Sequence, residues 1–264
     1  MIDVERRMAL EDIAAEVRVC TNCRLHETRT KAVPGEGDPD TEVVFVGEGP
    51  GFNEDREGRP FIGRAGDLLV KMLASIGWRR EDVFITNVVK CRPPDNRDPQ
   101  PDEIAACAPY LRRQLAVLDP AVVVTLGRYS MATFMPGARI SQAHGTVRPV
   151  DPETGAASAL VFAMYHPAAA LRTPAIERES YADIAAVPST LIDARRRRET
   201  AAEGPAPAVE TVPAATASPA PVVEAAAVVE APTPAEAVDI DDALAAAEPM
   251  IPPTDDAAPQ MTLF

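Results

Sequence analysis

No apolar run in this chain of 264 residues approaches membrane-spanning length, and no signal peptide opens it. A soluble cytoplasmic protein with reduced thiols is therefore expected. Cysteine is scarce, at four residues, and in that compartment a disulfide framework is not the expected use of them. Lys and Arg are missing altogether from residues 200–264. That stretch holds eleven Asp and Glu, eleven Pro and one aromatic, Phe264, among many Ala and Val. Such a segment cannot bury enough apolar surface to offset its ordering entropy, so it is read as a disordered acidic tail behind a folded domain of residues 1–199. The tail carries −11 of the formal −14, leaving −3 on the domain. The acidic balance thus excludes nothing about nucleic-acid binding by the folded part. Basic pairs and runs at Arg79–Arg80, Arg112–Arg113 and Arg195 to Arg198 read first as solvated helix faces. Internal repeats are absent too.

What is present begins with four short β-branched apolar runs, at 41–47, 82–88, 121–127 and 159–165. Runs of this kind suit buried parallel strands. Helical patterns lie between and after them, at 65–78, 101–118, 128–135 and 180–198, the second opened by Pro101, Asp102 and Glu103. Strand–helix alternation predicts an α/β three-layer sandwich around a central, mainly parallel four-stranded sheet. In such sheets ligands bind beyond the carboxyl ends of the strands.

Three of the loops expected on that rim carry chemistry. GEGPGFNEDREGRPFIG (47–63) follows the first strand, Asn87 and KCRPPDNRDP follow the second, and HPAAAL (166–171) follows the fourth. Together they bring Glu48, Glu54, Asp55, Phe61, Asn87, Asn96 and His166: acids, an aromatic plate, two amides and an imidazole. Each alone has an ordinary reading as a turn, a cap or a core residue. Converging on one rim, they form equipment for gripping a planar heterocycle and handling a proton.

The cysteines add a second centre. Cys20 and Cys23 form a CxxC pair able to bind one metal centre from a single turn, while Cys91 and Cys107 must be brought in by folding. Zinc ribbons usually show two CxxC pairs and this chain has one, so spacing leaves zinc and iron–sulfur both open.

The segments VGEGPGFNEDREGRPFIGRAG, ITNVVKCRPPDNRDPQPDEIAAC and YHPAAAL, with the cysteine spacing, resemble the family 4, iron–sulfur type of uracil-DNA glycosylase over roughly residues 8–197. The resemblance implies a [4Fe–4S] cluster held by Cys20, Cys23, Cys91 and Cys107, and uracil-containing DNA, single- or double-stranded, as substrate. It implies a monofunctional hydrolase of base-excision repair, nucleoid-associated when acting and monomeric. Phe61 would stack on uracil, Asn87 would read its edge, and His166 would stabilise the departing base, with Gly49 and Glu54 helping to hold it. Glu48 and Asn96 would orient water, since the better-known uracil glycosylases carry an Asp where Gly49 stands here. Leu171 and Arg172 would fill the gap left in the duplex. The inserted basic loop of a uracil-crosslinking branch is absent. Alternatives are a glycosylase shifted to hypoxanthine or other deaminated bases, and a non-catalytic DNA-binding scaffold. The last five residues include Gln260, Met261, Leu263 and Phe264, which resemble peptides that bind the bacterial sliding clamp.

Overall fold

A computed structural model describes residues 3–202. In chain order the regular elements are α1 (Asp3–Val19), β1 (Glu36–Gly37), β2 (Val43–Gly47), α2 (Phe52–Glu57), α3 (Arg64–Ser75), β3 (Phe84–Asn87) and α4 (Pro101–Leu118). There follow β4 (Val122–Leu126), α5 (Arg128–Phe134), α6 (Ile140–Ala143), β5 (Val147–Pro149), β6 (Leu160–Met164), α7 (Pro167–Ala170) and α8 (Pro174–Ala202). The sheet runs β1-β3-β2-β4-β6-β5. Its four central strands are parallel and in register, with Gly47 opposite Asn87 and Thr125 opposite Ala163.

The expected four-stranded sheet is thus the centre of a six-stranded one. Two- and three-residue edge strands, β1 and β5, pair antiparallel to β3 and β6. Their pairing is made by backbone groups of Glu36-Gly37 and Val147-Arg148-Pro149, stretches too short to show an alternating pattern. The N-terminal helix α1 also went unassigned, and α8 starts six residues before the expected 180, passing through Pro188. The four central strands each fall inside their expected spans.

Every residue of β2, β3, β4 and β6 is buried, which is why these runs are mostly apolar, with Thr86, Asn87 and Thr125 the polar positions among them. Alternate side chains serve opposite faces. Val44, Val46, Val123 and Val161 meet Ile13 and Val17 of α1 and Leu111 and Leu115 of α4. Val43, Phe45, Val124 and Phe162 meet Leu69 and Met72 of α3 and Ile184 and Val187 of α8. Helix α4 starts where Pro101 predicts, and its buried Glu103 accepts from Gln100 N–H at 2.8 Å and from both terminal nitrogens of Arg97. That start fixes the turn of α4 bearing Cys107. Among the described residues no helix is long and apolar enough to cross a membrane. Helix α8 runs three residues past the expected domain end at 199, and the rest of the tail with its terminal motif lies outside the described residues.

Candidate active site and cysteine cavity

The parallel strands β2, β3 and β6 end on one rim, and their last residues begin the site. Asn87 closes β3 with its side chain 1 % exposed, yet its Oδ1 has no hydrogen-bond partner. Its register partner on β2 is Gly47. A Cβ there would lie 2.4 Å from Asn87 Oδ1 and 2.6 Å from the Phe61 ring, so only glycine lets the amide and the ring approach the same strand end.

Phe61 is buried and holds a left-handed backbone, φ +49°. For a non-glycine residue this costs on the order of 1–3 kcal/mol and persists only where the surroundings enforce it. Arg80 supplies one half of the enforcement. Its Nη1 donates to Phe61 O at 2.8 Å, its Nη2 donates to Pro60 O, and Glu36 accepts from the same guanidinium. Glu54 supplies the other half, one carboxylate oxygen accepting from Ile62 N–H at 3.0 Å and Gly63 N–H at 2.9 Å. The structure therefore uses Glu54 to brace the loop that carries Phe61. Arg80 was read from sequence only as part of a solvated basic pair.

His166 caps α7, its Nδ1 accepting from Ala168 N–H at 3.1 Å. The proton of the neutral ring then sits on Nε2, which is left as a donor. Burial first, and the Arg172 charge second, press its pKa down to about 4 against the opposing pull of Glu54. The imidazole is thus neutral near pH 7. Its ring stacks on Phe61 at 5.6 Å between centroids and 30° between planes.

Glu48, immediately after β2, has its pKa pushed up to about 7 by burial and by the neighbouring Asp98, with Arg128 opposing. Asp98 is itself paired to Arg128 at 2.6 Å. Asn96, expected beside Glu48 as a second water handler, stands in different surroundings. It is exposed, adopts φ +55°, and its Oδ1 accepts from Arg92 Nε at 2.7 Å. Gly49 packs so close to Val89 that a Cβ would meet Cγ2 at 2.7 Å, so an Asp at this position would first have to displace that side chain. Leu171 and Arg172 follow α7, both exposed, Leu171 as an apolar side chain.

Lys90 is the residue that sequence reasoning missed. Though 1 % exposed, its Nζ donates to Asn87 O at 2.8 Å, Thr86 Oγ1 at 2.6 Å and Gln114 Oε1 at 2.7 Å. Three acceptors are what allow a lysine to sit in a core, and burial still lowers its pKa to about 8. A lysine directly after the apolar pair Val88-Val89 and before Cys91 was the only signal available.

Cys20, Cys23, Cys91 and Cys107 all line one cavity between α1, α4 and the loop after β3, and none is in a disulfide. Each sulfur faces a donor. Asn22 N–H and the Tyr110 hydroxyl address Cys20, Leu25 N–H addresses Cys23, Arg29 Nη1 reaches Cys91 at 3.1 Å, and Lys90 N–H reaches Cys107 at 3.2 Å. Burial is the first cause raising the thiols of Cys23, Cys91 and Cys107, the last to about 11, so burial disfavours their thiolates and a bound cation would favour them. Four cysteines lining one cavity, each sulfur met by a hydrogen-bond donor, suit an anionic metal–thiolate group in their chemistry. Among the described residues no three His, Cys, Asp or Glu side chains are grouped to hold a single ion.

A buried amide, a ring and an imidazole thus stand on the rim of a parallel sheet, in a chain whose four cysteines line one cavity. Residues 34–186 match the family model described as the uracil DNA glycosylase superfamily. Among curated proteins, the chain is 48% identical over 180 residues to the type-4 uracil-DNA glycosylase of Archaeoglobus fulgidus, covering 66% of this chain and 89% of that one. It is 49% identical over 173 residues to that of Saccharolobus solfataricus, covering 64% and 80%. It is also 49% identical over 146 residues to that of Thermotoga maritima, covering 55% and 76%. The chain belongs to the type-4 uracil-DNA glycosylases.

Proposed function

We infer that this protein excises uracil from DNA by hydrolysing its N-glycosidic bond, leaving an abasic site for base-excision repair. The observation that carries this reading is the buried, unpartnered Oδ1 of Asn87, which meets the same strand end, Gly47, as the Phe61 ring. Leaving such an acceptor unpaired costs about 1–3 kcal/mol, a cost removed when a ligand N–H arrives. Uracil presents a ring N–H beside a carbonyl, which one amide satisfies with Oδ1 and Nδ2 together. Cytosine presents the opposite pattern at that edge.

The target nucleotide must leave the helix to reach this depth. Leu171 and Arg172 would occupy the space it vacates. Phe61 takes one face of the base, and backbone N–H groups of the turn 48–51 help to hold it. As the glycosidic bond breaks, positive charge grows on the sugar and negative charge on the base. The Nε2–H of neutral His166 donates to the base carbonyl next to that bond and stabilises the anion. Glu48, ionised above about pH 7, accepts a proton from water attacking the sugar and faces its positive charge. Asn96 has the weaker claim to that task, being tied to Arg92. The four cysteines would hold a [4Fe–4S] cluster whose contribution is structural, joining the end of α1 to α4 and to the loop after β3.

Excision of uracil from single-stranded and duplex oligonucleotides, read as strand breaks after alkali, tests the reaction, with hypoxanthine and thymine as controls. Absence of cleavage at uracil would refute it. His166→Ala should lower the single-turnover rate by about 2–4 kcal/mol while leaving affinity for the abasic product nearly intact. Equal losses in both would make His166 a loop-shaping residue only. The rate of the natural protein should fall roughly tenfold per unit below about pH 7, where Glu48 is protonated, and level off above it. His166 stays neutral down to about 4, so this acid limb should vanish in Glu48→Gln and survive in His166→Gln.

Gln260, Met261, Leu263 and Phe264 are proposed as a sliding-clamp peptide, two apolar anchors with a polar residue before them. Purified clamp should bind the full chain at micromolar concentration and fail to bind one ending at Pro259.

A further inference from the structure

Phe52 is the one large aromatic among the described residues that stands mostly in water, at 58 % exposure. It opens α2, directly after the turn 48–51. The Arg92 guanidinium lies over its ring, 5.3 Å from the centroid. A third residue fixes that arrangement, because Asn96 Oδ1 accepts from Arg92 Nε at 2.7 Å. Asp95 and Asn96 both hold left-handed backbones, at φ +54° and +55°. The two loops involved are packed together, since Gly49 sits against Val89 and within reach of Pro93. The pair therefore sits on the loops that carry Glu48 and Asn87, at the outer side of the same rim.

A single exposed Phe needs no explanation. An exposed Phe with a cation pinned over it by a third side chain, beside a pocket for one nucleotide of a polymer, does. We propose that Phe52 and Arg92 form a stacking platform for the base next to the flipped uracil. This rests on the glycosylase reading. When one nucleotide leaves the stack its neighbour loses a stacking partner, and an aromatic ring with a guanidinium plane replaces it without regard to sequence. The positive charge of Arg92 serves the adjoining phosphate as well. Asn96 acquires a task consistent with its exposure: it is a positioning residue for Arg92.

The test compares three single-stranded oligonucleotides: one intact, and two with a stable abasic residue immediately 5′ or 3′ of the uracil. Cleavage of the intact one by the natural protein is the control for the glycosylase reading, and its failure would overturn both. With that control in place, Phe52→Ala should raise KM for the intact oligonucleotide on the order of tenfold, with the saturating single-turnover rate unchanged. Phe52→Trp should restore the natural KM. On one of the two base-less oligonucleotides, and only one, Phe52→Ala and the natural protein should become equal, which also identifies the side on which the base stacks. An unchanged KM in Phe52→Ala, a fall in the saturating rate instead, or an equal penalty on all three oligonucleotides would overturn the platform and leave the glycosylase reading standing.

Discussion

Replacing Asn87 by Asp should lower uracil excision on the order of 10³-fold or more while leaving the melting temperature close to that of the natural protein. The substitution preserves shape and removes the one amide donor at the end of β3. An ionised Asp would set two acceptors against a base edge that offers one donor and one acceptor. The uracil carbonyl would then face a carboxylate in a site with 1 % exposure, where neither group can turn to water. Opposite cytosine the new oxygen meets an amino donor where uracil has a carbonyl, and the protonated carboxyl can also donate to the ring nitrogen, so weak cytosine excision should appear where none existed. Burial will raise the pKa of the new carboxyl, and its protonated form regains a donor, so part of the uracil activity should return as the pH is lowered. Excision of uracil at the natural rate would show that Asn87 is not the reader.

Cys107→Ser should yield a protein that is colourless, depleted of iron and unfolded or aggregated at temperatures the natural protein survives. The natural protein should be brown, absorb broadly in the blue and contain iron and sulfide. Cys107 lies on α4, Cys91 follows β3 and the CxxC pair follows α1, so one missing ligand frees an attachment between three elements. The thiols are pushed up by burial, which means that metal loss leaves neutral sulfurs in a polar ring of donors instead of a stable empty cage. Binding energy of this kind is folding energy. Excision should fall in proportion to iron content. A colourless natural protein with one zinc per chain would refute the cluster.

The sheet was legible because both of its faces are covered. Val43 to Val46 and Val122 to Val124 had to be apolar on every side, and no helix of that length would need it. The rim residues were legible because Asn87 closes a strand, His166 stands two residues past one, and Phe61 lies in the loop segment that follows another. Their support was not. Arg80 reaches the Phe61 carbonyl from nineteen positions away and looks in sequence like half of a surface pair with Arg79. Glu54 acts through backbone N–H groups, which leave no trace in residue identity. Lys90 violates the pattern of its own segment, and only the three acceptors around Nζ explain why it is tolerated. The strands β1 and β5 are made by the pairing of short edges, a long-range fact that no local pattern encodes.

Lys90 has a consequence for how the enzyme fails. Its Nζ holds the backbone oxygen of Asn87, and its N–H points at Cys107 Sγ, so Asn87 and the cysteine cavity share one short, doubly anchored stretch of chain. A glycosylase is hazardous to a genome when it keeps cutting after it has lost the power to discriminate. With the proposed cluster in that cavity and Asn87 as the proposed reader, oxidation or starvation for iron would strike the anchors of the reader at the same time as those of the fold. The damaged molecule would become inert, and uracil would wait in the DNA for an intact copy.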